Sequence, residues 1–176
     1  FAVAATGRSR VLNGFRSRTR EPRRRLLLPV HTPPDFAPKH VLPADLPDSA
    51  LVFPYVGAQL VTRGEEKPSV LTLGELRTAR LEGVAHYLGE LGGVPSLAIG
   101  LPEGTTLGGE LRASGLRSLF FRLDDDLLAL AALGFQIVEW DRTHRCCGRC
   151  GTPTQHTPGD RARVCPSCGL VAYPRV

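Results

Sequence analysis

Residues 144–176 read "HRCCGRCGTPTQHTPGDRARVCPSCGLVAYPRV", and every cysteine of the chain lies within them, at positions 146, 147, 150, 165 and 168. Two Cys-x-x-Cys-Gly turns, "CGRCG" (147–151) and "CPSCG" (165–169), are separated by 14 residues between Cys150 and Cys165. Each such turn aims two sulfurs inward, and the glycine lets the backbone fold back so that its N–H groups reach the thiolates. The intervening "TPGDR" suits a turn between two short strands, and "LVAYP" supplies a third. The spacing predicts a three-stranded zinc ribbon in which Cys147, Cys150, Cys165 and Cys168 fill a tetrahedral site. Four thiolates leave no open coordination position, so the zinc is expected to be structural.

Cys146 is then the spare. Only Cys147 has a partner at the right spacing with glycine following, and Cys146 is expected to pack as a small apolar residue beside the knuckle. His144 is close by, but the tetrahedron is already filled. Cysteines gathered in one paired cluster argue for metal binding in a reducing, cytoplasmic setting over scattered disulfides or an iron–sulfur role.

The rest of the chain is long enough, at 176 residues, for a medium domain beside this small metal-stapled one. No apolar run approaches the roughly 18–20 residues that cross a bilayer, so no membrane association is expected. No secretory leader is evident, and a chain that begins with Phe1 reads as processed or cut. The net charge of +5 is unevenly placed. Residues 1–30 hold eight arginines against Glu21, a local charge of +7, so the remainder is about −2. Residues 1–28 are therefore read as a basic, self-repelling leader, either solvated or able to touch polyanions.

Residues 29–54 contain seven prolines and are expected to be extended and loop-like. Short apolar runs bounded by Gly and Pro then suggest strands, giving a β-rich domain over 29–123. The clearest hairpin is "VAHYLGELGGVPSLAIGL" (84–101), turning at Gly92-Gly93. For "LTLGELRTARLEG" (71–83) the pattern leaves open a strand and turn or a short helix. A connecting helix is expected over 124–143, where Asp124 or Asp125 can cap "DDDLLALAALGFQIVEWDR" and Leu127, Leu130, Ala131, Leu133, Ile137 and Val138 recur at helical spacing. Gly134 interrupts that stripe, which a close packing contact would explain. The ribbon follows over 144–176, and the fold class is α+β.

The run "LGELGG", the acid-led helix ending "VEWDRTHR", the two knuckles and "YPR" (173–175) resemble the front portion of NAD(H) pyrophosphatases of the Nudix hydrolase superfamily. The resemblance covers about residues 51–176. It implies a full-length homodimer that cleaves the pyrophosphate of NAD(H), and of NAD-capped RNA, to nicotinamide mononucleotide and AMP. It also implies Mg²⁺ or Mn²⁺ held by clustered glutamates on a catalytic helix, ions that neutralise the pyrophosphate and activate water. The pattern G-x5-E-x7-R-E-x2-E-E-x-G is absent from these 176 residues. Glu65-Glu66 and Asp124, Asp125 and Asp126 read as surface or capping groups, so no catalytic residue is expected here. In that family a Phe commonly stands where Cys146 is. By the same resemblance Tyr173 is the candidate nearest substrate, where its ring could stack on a base, although a packed ribbon tyrosine is an equal reading. The alternative function is a stand-alone zinc-ribbon nucleic-acid binder using Arg149, Arg161 and Arg163 on phosphates. A catalytically silent fragment is the third.

Overall fold

The computed structural model describes residues 32–176; the basic leader lies outside the described residues. The first strand, β1 (Phe36–Pro38), comes from the proline-rich segment. It is followed by β2 (Leu51–Val56), β3 (Gln59–Arg63), β4 (Leu71–Thr72), α1 (Leu73–Thr78), β5 (Val84–Leu91), β6 (Val94–Leu101) and β7 (Leu111–Gly115). A 3-10 turn (Leu116–Leu119) leads to α2 (Asp125–Thr143), and β8 (Gln155–His156), β9 (Arg163–Val164) and β10 (Val171–Ala172) complete the chain.

The main sheet runs β1-β5-β6-β2-β3-β7, with β4 added to β2. Its central pair β2 and β6 is parallel; the other pairings are antiparallel. Both faces of this sheet are covered, so β2 is apolar throughout rather than alternating. Phe53, Tyr55, Leu60, Leu88 and Ala98 meet Leu130, Ala131, Ile137 and Val138 of α2. Val52, Val61, Leu97 and Ile99 meet Leu73 and Leu76 of α1 on the other side. Pro54 would normally be out of place in a central strand. It falls in the gap between the β4 partners Leu51 and Val52 and the β3 partners Tyr55 and Val56.

Several local expectations are met. Gly92 and Gly93 both have positive φ, 56° and 79°, as a tight two-residue hairpin turn requires. The ambiguous 71–83 segment is both things in succession. The short strand β4 runs into α1, nucleated by a capping box in which Thr72 accepts from the Glu75 N–H and the Glu75 carboxylate accepts from the Thr72 N–H. Asp124 caps α2, accepting from Asp126 N at 3.0 Å and Leu127 N at 3.4 Å. β7 was not marked by the apolar pattern, since only Leu111 of "LRASG" is strongly apolar; it forms because β3 offers a free edge.

Gly134 explains how α2 sits so close to the sheet. A Cβ placed there would lie 3.0 Å from Ala98 Cβ and 3.2 Å from the Tyr55 hydroxyl. That hydroxyl is itself donated to the Ala131 carbonyl, so it cannot swing away freely. Gly134→Leu is therefore expected to destabilise the domain by about 3 kcal/mol, the upper end of ordinary overpacking, read as a lowered urea midpoint. An unchanged midpoint would mean that α2 can shift outward at little cost.

Candidate metal centre

The ribbon is built from two copies of one backbone turn. In the first, Cys147 N–H donates to Thr152 O (2.8 Å) and Gly151 N–H to Cys147 O (2.9 Å). In the second, Cys165 N–H donates to Leu170 O (2.9 Å) and Gly169 N–H to Cys165 O (3.0 Å). Gly151 and Gly169 carry φ of 75° and 70°, which lets each loop fold back over its own sulfurs. Strands β8, β9 and β10 form a separate antiparallel sheet in the order β10-β9-β8, as the hairpin-plus-strand reading requires.

The sulfurs of Cys147, Cys150, Cys165 and Cys168 all lie within 4.8 Å of one another. The Cys147–Cys168 and Cys150–Cys165 separations are 3.6 and 3.5 Å. A tetrahedron with metal–sulfur bonds of about 2.3 Å has edges of roughly 3.8 Å, so the four side chains fit zinc without rearrangement. Arg149 N–H points at Cys147 Sγ (3.4 Å), the kind of contact that steadies a thiolate ligand. Taken as free thiols, Cys150 and Cys168 are driven in opposite directions. Hydrogen bonds from Thr152, first its hydroxyl and then its backbone N–H, bring Cys150 down to about 6. The Leu170 N–H works to lower Cys168, but burial and the neighbouring thiols push it up to about 11. A divalent cation at the centre of the four sulfurs removes this conflict by favouring the thiolate at both.

Cys146 stands apart from the cluster, but it does not pack beside the knuckle as expected: it is exposed. Its backbone bridges to Pro153 in an extended conformation. Successive side chains there point opposite ways, so with Cys147 facing the metal, Cys146 faces solvent. His144 serves the end of α2, with its ring Nδ1 2.9 Å from Trp140 O. Tyr173 is 57% exposed, and its hydroxyl donates to Asp160 Oδ2 at 3.1 Å. Of the ribbon arginines, Arg149 faces solvent. Arg161 donates to Lys39 O at 3.0 Å and to Tyr87 O, and Arg163 is buried. Two of the three cations nominated for phosphate are thus committed to protein groups.

Arg163 belongs to a cluster that the sequence reading missed. Its Nε donates to Asp141 Oδ1 at 2.8 Å, and His156 Nε2 lies 3.0 Å from the same oxygen. His86 of β5 approaches Asp141 Oδ2 at 3.8 Å. The main sheet, α2 and the ribbon therefore meet on one carboxylate. A signal was present in the sequence: Asp141 lies seven residues after Gly134 and four after Ile137, so an acid continues the apolar stripe of α2.

Among the described residues no helix is long and apolar enough to cross a membrane. Residues 49–140 match the family model for an NADH pyrophosphatase-like rudimentary NUDIX domain. Residues 142–173 match the model for an NADH pyrophosphatase zinc ribbon domain. Among curated proteins, the chain is 40% identical over 149 residues to the NAD-capped RNA hydrolase NudC of Deinococcus radiodurans, covering 84% of this chain and 49% of that protein. It is 36% identical over 102 residues to the NudC of Stutzerimonas stutzeri, covering 58% and 35% respectively. The Pseudomonas fluorescens (strain Pf-5) protein of the same name is 36% identical over 91 residues, covering 52% and 33%. The chain spans between a third and a half of the length of these relatives.

Proposed function

The chain belongs to the NADH pyrophosphatase family, and from that premise we propose that it is the scaffold portion of a hydrolase that cleaves the central pyrophosphate of NAD(H) and of NAD-capped RNA. The products are nicotinamide mononucleotide and AMP, or the nucleotide and 5′-monophosphate RNA. The observation that carries this reading is the continuous order of a rudimentary NUDIX domain and its matching ribbon, joined through α2 and assembled around four convergent sulfurs. The names of the curated relatives support the RNA substrate.

In this reading Cys147, Cys150, Cys165 and Cys168 hold a structural Zn²⁺, which supplies folding energy to the ribbon and no reacting group. The ribbon's own residues then fix the direction in which β10 and the "YPR" segment leave the domain. Mg²⁺ or Mn²⁺ belongs to a glutamate-bearing catalytic domain of the complete enzyme, which works as a cytoplasmic homodimer. Tyr173 is the residue of this portion that we assign to stacking on a base, a reading supported by its exposed ring and by the Asp160 carboxylate that anchors its hydroxyl.

The test is NADH hydrolysis with Mg²⁺ or Mn²⁺, comparing residues 1–176 with the product of the complete open reading frame. Activity is expected only in the complete protein. Turnover by the 176-residue chain would place the chemistry within it, and inactivity of both would favour a binding role instead.

A further inference from the structure

We propose that the free edge of β7 is a self-association surface, which pairs antiparallel with β7 of a second copy of this chain about a twofold axis at Ala113.

The direction of each backbone group along β7 follows from its neighbour. β7 ends the main sheet and pairs with β3. Arg63 of β3 bonds through both its N–H and its C=O to Ser69, each at 2.9 Å, so it turns neither group toward β7. Antiparallel pairs alternate. Leu111 opposite Arg63, Ala113 opposite Val61 and Gly115 opposite Gln59 therefore direct their N–H and C=O groups away from the sheet. Some of these groups are already used. Leu111 N–H donates to Gly108 O at 3.2 Å, and Leu111 O accepts from Arg112 Nη1 at 2.8 Å. Gly115 O accepts from the Ser118 hydroxyl at 2.8 Å. The Ala113 N–H and C=O and the Gly115 N–H have no partner among the described residues.

What remains is self-complementary. With Ala113 on the axis, each copy's Ala113 N–H donates to the other's Ala113 O. Leu111 then faces the second copy's Gly115, whose N–H reaches Leu111 O, a carbonyl with a second lone pair. The two groups already bonded within their own chains, Leu111 N–H and Gly115 O, fall opposite each other, so pairing strands neither a donor nor an acceptor. Every facing pair has a small member: Ala113 with Ala113, Arg112 with Ser114, Leu111 with Gly115.

Charge agrees with this register. The residues after Gly115 pass the second copy's Glu110, and Arg117 and Glu110 are both exposed, with no side-chain partner among the described residues. Symmetry makes that contact twice. Apolar surface lies alongside. Phe120 and Phe121 are 38% and 89% exposed, and Arg122 after them donates to Glu65 O, beside the bond from Gly64 N–H to Glu110 O at the start of β7. The opposite edge of the sheet is blunted, since β1 has three residues and one of them is Pro38. β7 has five residues and no proline. The surface includes no ribbon residue and is independent of the activity proposed above.

The experiment is sedimentation equilibrium of the zinc-loaded 176-residue chain over a range of concentrations. An edge this short is expected to associate weakly and reversibly, so the wild type should move from monomer toward dimer as concentration rises. Ala113→Pro removes an outward N–H and no bond of the chain's own ladder, and it should weaken association at least about tenfold. Arg117→Glu and Glu110→Arg should each weaken association, and the two combined should restore it. A wild type that stays monomeric throughout overturns the proposal. So does a folded Ala113→Pro protein that associates like the wild type, because the copies then meet elsewhere. A charge-swapped double variant no stronger than either single variant overturns it as well, whatever Ala113→Pro does to folding.

Discussion

Cys165→Ser is expected to reduce bound zinc from about one per chain to near zero and to unfold the ribbon while the main sheet stays folded. The ribbon has little else to hold it. Its three strands are two residues each, well short of what a small sheet needs to stand alone. Apart from Cys147 and Cys165, Ala162 is its only buried apolar residue. Binding at sites of this kind contributes on the order of 10–16 kcal/mol of folding free energy, far more than a core of that size can supply. Cys165 is the informative choice because it is buried and also begins the second knuckle, whose backbone bonds to Leu170 and Gly169 close the turn. The sheet has two cores of its own, on opposite faces, and neither includes a ribbon residue. Metal analysis with amide exchange over residues 146–172 checks both halves of the expectation. If ribbon amides stay protected in a metal-free variant, the contacts to α2 and β5 fold the ribbon, and the zinc is secondary.

Much of this architecture was legible because it is written in short-range rules. The knuckles declare themselves by spacing, the Gly92-Gly93 hairpin by its turn residues, and α2 by its Asp124 cap and apolar period. The long-range pairings were less accessible. Parallel pairing of β2 with β6 joins residues more than forty positions apart, and nothing local marks it. β7 exists because of the edge it joins. Cys146 was misplaced for a related reason: chemistry suggested a small buried residue, while alternation along the segment decided its direction. The Asp141 cluster joins three elements, and no one of them identifies its partners. An acid in an apolar stripe announces that a cation is near, but the fold chooses Arg163 over the eleven other arginines of residues 32–176.

Asp141→Ala tests what that cluster contributes, and it is expected to lower stability by about 3–5 kcal/mol. The Asp141 and Arg163 side chains are 5% and 9% exposed, so neither charge is solvated enough to be lost cheaply. Removing the acid leaves the guanidinium with Thr154 O and Oγ1 at 3.3 and 3.2 Å and with the His156 ring, none of them an anion. The penalty is that of an uncompensated buried cation, which is larger than the net worth of the pair. A second variant separates these two quantities. Asp141→Leu combined with Arg163→Met removes both charges and keeps the volume, and it should recover most of the loss. Urea unfolding of the two variants beside the wild type measures the difference. Recovery in the double variant, with the ribbon still docked, means that the ion pair selects a geometry more than it stabilises one. A loss as deep in the double as in the single variant means that Asp141 is needed for its hydrogen bond to Arg163 and its contact with His156 together. A single-variant loss below about 1 kcal/mol would show water reaching the pair, leaving the ribbon to be held by Arg161 on the β5 backbone and by His40 on Gly159 O.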